Sequence, residues 1–165
     1  MIYVPELEPD DRVETIPLTD ERSLARRIAL QILYEVDSAH HDQGEVTAIH
    51  LEAHQANKKV ARYTRYLVNG VLEHQEALDE VIRRFAPEWP LEQLAIIDRN
   101  ILRMAIYEFA VEARTPVGVS IDEAVNLAKI FGADGTPGFI NGVLGALADD
   151  QTVLHQLHKP REDES

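Results

Sequence analysis

The sequence predicts an all-α protein, and three observations carry that prediction. Apolar residues recur at helical spacing through seven segments between residues 20 and 148. The breaks between those segments hold helix-terminating residues, as in APEWP at 86–90 and FGADG at 131–135. Asn-Gly, normally a hairpin signal, occurs twice within NGVL, at 69–72 and 141–144, but both copies sit inside helical periodicities with no alternating strands beside them.

Residues 1–18 contain three prolines and no periodicity, and are expected to be a disordered acidic tail. Thr19 is placed to cap a helix over 20–39, whose inner face is Leu24, Ile28, Ile32, Leu33 and Val36. HHDQGE at 40–45 reads as a connection. A weaker helix over 46–56 would bury Ile49 and Ala53. The pattern is clearer over 57–74, through Val60, Tyr63, Leu67 and Val71, and over 76–85, through Leu78, Val81, Ile82 and Phe85. The longest expected helix spans 91–111. Ser120 and Glu123 form a capping-box pattern after a loop at 113–119, and Gly132 is expected to end that helix in the left-handed conformation. Thr136 and Pro137 suit a helix start, with a last core helix over 137–148. Residues 149–165 are expected to form a short helical turn and a polar tail. The junction of two halves, about 19–86 and 90–148, is placed at the Pro-rich break, plugged by Trp89.

The 165 residues carry a formal charge of −13 and no cysteine. Disulfides, thiolate metal sites and cysteine nucleophiles are therefore excluded. Residues 1–21 hold seven acids and one base, and 149–165 hold five acids and two bases, so much of the acidity is terminal. Such a balance opposes indiscriminate nucleic-acid binding but leaves room for a local basic patch. No apolar run approaches the roughly 18 residues of a membrane span, and the acidic start does not resemble a signal peptide. A cytoplasmic protein is expected.

Enzyme signatures are missing. GFINGVLG has neither the dinucleotide nor the Walker spacing. His50 and His54, four apart, lack a third ligand, so no metal and no cofactor is expected. Asp122 and Glu123 suit the positive end of a helix dipole, and Asp98 could pair with an arginine; neither indicates catalysis.

Five segments in order carry a resemblance: ARRIALQILY (25–34), RYLVNGVLEH (65–74), LAIIDRNILRMAIYEF (94–109), VSIDEAVNLAKIFG (119–132) and GFINGVLGAL (138–147). Across residues 21–148 the chain resembles the NusB family of bacterial transcription antitermination and termination factors. The resemblance implies two small helical bundles packed together at roughly right angles. It also implies binding of the single-stranded boxA element of rRNA leader transcripts together with the tenth protein of the small ribosomal subunit. Other Nus factors and RNA polymerase would join them, aiding rRNA synthesis and maturation. Homodimers occur in some relatives.

Carried over by position, the resemblance points to Arg22, Arg26, Arg27, Tyr63, Arg65, Arg99, Arg103 and Lys129 for RNA. Glu123, Phe131, Phe139 and Asn141 are left to the protein partner or to packing. Arginine forks suit phosphate and base planes, and tyrosine suits base stacking. The plainer alternatives stay open: ion pairs from the first-helix arginines to Asp20 and Glu21, and from Arg99 and Arg103 to Glu92, Asp98 or Glu108. Asn69 and Asn141 would hydrogen-bond between helices if buried. The rival function is a protein-interaction module without significant RNA binding.

Overall fold

The computed structural model describes residues 20–158; the expected N-terminal tail, the Thr19 cap and the end of the polar C-terminal tail lie outside them. Among the described residues there are eight α-helices and no strand, so the all-α prediction holds. In chain order they are α1 (Glu21–Ala39), α2 (Gln43–Ala53), α3 (Lys58–Glu73), α4 (Gln75–Phe85), α5 (Ile96–Ile106), α6 (Val117–Phe131), α7 (Thr136–Ala148) and α8 (Gln151–Leu157).

The chain divides into two compact units between Val68 and Asn69, inside α3. The Pro-rich break at 86–90 ends α4 but falls within the second unit, and Trp89 is 54 % exposed rather than a buried plug.

In the first unit, α1 buries Ala25, Ile28, Ala29, Ile32 and Leu33, the isoleucines and the leucine each contributing about 1.5–3 kcal/mol where fully buried. It stops at His40, which takes the left-handed conformation (φ 57°) and donates its N–H to the Val36 carbonyl at 3.1 Å. Asp42 then caps α2 by accepting the Glu45 N–H at 3.1 Å. The phase of α2 differs from expectation. Val46, His50 and Leu51 are buried, whereas Ile49 is 64 % exposed and Ala53 is exposed. With apolar residues scattered around this helix, its pattern alone does not fix which side faces in. Asn57 starts α3 by accepting the Val60 N–H at 2.9 Å.

The second unit packs α4 to α8 around Ile101, Leu102, Ile106, Ile140, Leu144 and Leu147. The expected helix over 91–111 is broken. Leu91–Gln93 form a single tight turn, Leu94 is extended, and α5 begins at Ile96. At its far end Tyr107–Val111 widen into a π-turn, with the Glu112 N–H reaching back to the Tyr107 carbonyl at 3.0 Å.

Helix α6 starts at Val117 behind Pro116, three residues before the expected cap; Ser120 is buried inside it and caps nothing. Gly132 is extended (ψ 175°), not left-handed. It is glycine for space, since a methyl there would come within 2.7 Å of the Thr136 side chain and 2.8 Å of the Ala128 carbonyl.

The two NGVL copies have different roles. A methyl on Gly70 would overlap the ring of Tyr107, which is 4 % exposed, so this glycine admits the tyrosine as a close helix contact. Gly142 faces open space, so the close contact expected there is absent. Asn69 and Asn141 are both exposed rather than buried.

Candidate nucleic-acid interface

In the first unit the basic first turns of α1 lie against Tyr63 of α3. The Arg22 guanidinium sits 5.1 Å from the Tyr63 ring centroid and that of Arg26 sits 5.6 Å from it. The expected ion pairs to Asp20 and Glu21 do not form. Asp20 accepts from the Ser23 hydroxyl at 2.9 Å, and Glu21 accepts from the Asn57 amide at 3.2 Å. Arg22 is exposed and has no carboxylate partner among the described residues. Arg27 is half-buried, with its Nε lacking a hydrogen-bond partner there.

Arg26 departs from expectation: it is 3 % exposed and supports the Tyr63 ring rather than projecting outward. Arg65 is exposed, but two positions along a helix is about 200° of rotation, so it points away from the side that carries Tyr63. Tyr66, overlooked in the sequence, is the closer companion. Its ring lies 5.2 Å from that of Tyr63, and the i,i+3 spacing was the available signal. Lys59 and Arg62, both exposed, flank the same side of α3 by that rule. The arrangement presents cations around a paired aromatic surface, the donor set that phosphates and unstacked bases require.

On the far end of α1, Glu35 pairs with His41 at 3.2 Å and His50 at 3.3 Å. The hydrogen bond from His41 and then that from His50 hold its carboxyl below the usual glutamate range, against the opposing effect of burial. Burial, with His50 and Arg27 nearby, pushes His54 down. Among the described residues no cluster is fit to hold a metal.

In the second unit Arg103 corrects the sequence reading. It is 3 % exposed and locked to Asp79 of α4, Nε to Oδ1 at 2.7 Å and Nη2 to Oδ2 at 3.0 Å. Its remaining arm donates to Asn100 at 3.2 Å. The side chain is buried in this pair, and Asp79 is not one of the three acids considered. Arg99 is half-buried, Lys129 is exposed in the last turn of α6, and Glu123 and Phe131 are half-buried on that helix.

Phe139 lines an open cleft of about 360 Å³ with Trp89, Leu94, Asp98 and Thr136. The Thr136 hydroxyl accepts the Ala133 N–H at 3.2 Å and donates to Asp98 at 3.1 Å. Burial raises the Asp98 carboxyl above its ordinary range, and the Thr136 hydrogen bond offsets part of that rise. Asp98 thus bonds to Thr136 within the fold, and among the described residues it pairs with no arginine.

Comparison with known proteins follows the same lines. A family model described as the NusB family matches residues 23–149. The transcription antitermination protein NusB of Dehalococcoides mccartyi is 44 % identical over 146 residues, covering 88 % of this chain and 100 % of that protein. The structure of T. maritima NusB is 28 % identical with a TM-score of 0.71, covering 87 % of this chain and 96 % of that one. A structure of the antitermination factors NusB and NusE in complex with dsRNA contains a chain 27 % identical to this one, with a TM-score of 0.68 and coverage of 78 % and 96 %. Sequence, family pattern and backbone agree, and the chain belongs to the NusB family of transcription antitermination proteins.

Proposed function

We infer that this protein binds boxA-type single-stranded RNA of rRNA leader transcripts together with the tenth protein of the small ribosomal subunit. In that assembly, with other Nus factors and RNA polymerase in the cytoplasm, it suppresses early termination and aids rRNA maturation without catalysis. The observation that carries the RNA side is Arg22 over Tyr63, without a carboxylate partner among the described residues, with Tyr66 beside it. A cation with no carboxylate partner among the described residues suits a phosphate, and tyrosine rings side by side suit base stacking. The family likeness supports an antitermination role, and the complex of a similar NusB with NusE and dsRNA supports the coarser part, binding of RNA alongside a protein partner.

We assign the protein partner to the second unit, at the cleft where Phe139 and exposed Trp89 leave apolar surface beside the Asp98 carboxylate. Two modest surfaces on one RNA make joint binding tighter than either alone. Fluorescence titration of boxA-like RNA, with and without the ribosomal protein, tests this. Tighter binding in its presence is expected, and Arg22→Ala with Tyr63→Ala should weaken it at least ten-fold. Equal affinity with and without the partner removes the cooperative reading. Assembly with the partner that is insensitive to salt and to both substitutions favours a pure protein-interaction module.

A further inference from the structure

The Arg22–Tyr63 face gathers cations that no described carboxylate pairs with. Arg22, Arg27, Lys59 and Arg62 have no carboxylate partner among the described residues. The two nearest acids in sequence are already committed, Asp20 to Ser23 and Glu21 to Asn57. Directly before them, residues 1–19 hold five acids, Glu6, Glu8, Asp10, Asp11 and Glu14, against one base, Arg12. This segment leads into the first turn of α1, one turn from Arg22 and Arg26. It also lies outside the family likeness, which begins at residue 23, while the D. mccartyi relative is matched along its whole length.

We propose that the acidic segment 1–19 docks on the Arg22–Tyr63 face of its own chain and thereby competes with RNA for the same cations. The competition rests on the RNA reading given above; the docking does not. Charge complementarity supplies the attraction. Nineteen residues reach at most about 60 Å, far more than is needed to cover the face. Tethering holds the segment at an effective concentration on the order of millimolar, so individually weak surface ion pairs suffice. RNA with more phosphates and stackable bases displaces it, whereas weak or short polyanions do not. The device sets a threshold for binding rather than abolishing it.

The test uses the full chain. Since the protein has no cysteine, Val4→Cys accepts a single spin label. Chain connectivity alone brings the label near α1, so the informative signals are the amides of Lys59, Arg62 and Tyr63 on α3. They should broaden at low salt. They should recover at high salt, and also in a chain with Glu6→Gln, Glu8→Gln, Asp10→Asn, Asp11→Asn and Glu14→Gln. Equal broadening in the charged and neutralised chains overturns the docking, with no RNA involved. Titration with a 12-nucleotide single-stranded RNA then reads the competition. The neutralised chain should bind about three- to ten-fold more tightly at low salt, the gap closing as salt rises. Equal affinities overturn the competition. If neither chain captures RNA, the RNA reading falls and the competition with it, while the label result still decides the docking.

Discussion

Arg22 and Arg103 both sit on amphipathic helices, and their fates differ because of what lies opposite. Arg103 meets Asp79 in the interior; Arg22 meets a tyrosine ring and solvent. Breaking a buried ion pair strands the remaining charge. Arg103→Ala should therefore cost about 3–5 kcal/mol in urea unfolding, while Arg22→Ala should stay within about 0.5 kcal/mol and act on RNA instead. Asp98 yields a pH-dependent prediction. Its folded carboxyl binds a proton more tightly than the unfolded one, so its charge opposes folding. That opposition is absent below the ordinary aspartate range and grows as pH rises through it. Asp98→Asn should raise the melting temperature at pH 7 and make no difference at pH 3, as followed by circular dichroism. Spacing identified the arginines but not their partners. Asp79 lies 24 positions from Arg103, and no local rule connects them. Tyr66, by contrast, was legible from its spacing to Tyr63.

At the level of helices, the repeated NGVL offers a paired experiment. Gly70→Ala forces the Tyr107 ring aside and should destabilise by about 1–3 kcal/mol. Gly142→Ala meets nothing and should stabilise the isolated chain by up to about 1 kcal/mol through helix propensity. Thermal unfolding of the two variants should move in opposite directions. Most helices were readable because their apolar faces are one-sided and their ends bear Asp, Asn, Gly or Pro. The exceptions have physical causes. Helix α2 carries apolar residues on several sides, so burial of His50 over Ile49 was decided by packing. Ser120 matched a cap pattern, but Pro116 already suits the position before a first turn, and α6 starts there.

At the level of the whole molecule, a net charge of −13 coexists with a local cation surface, so binding should depend steeply on salt. If three to five of the cations on α1 and α3 engage a single strand, log affinity should fall against log salt with a slope of about −2 to −3.5. A slope near zero in the titration would remove the phosphate contacts from the account. The all-helical class was legible from periodicity. The division inside α3 was not, because proline and glycine mark where helices stop, whereas compactness depends on contacts distant in sequence.

The wide turn at Tyr107–Val111 has a consequence for chain length. A five-residue ring stores one residue more than a regular turn needs, so the segment works as an accommodated insertion. Removing a single residue there would let the helix rewind and keep its phase up to that point, whereas the same deletion within Ile96–Ile106 would rotate the Arg103 pair off Asp79 by about 100°. Length variation in this protein should therefore be tolerated just after α5 and rejected within it, a contrast that a scan of single-residue deletions for soluble, folded product would reveal.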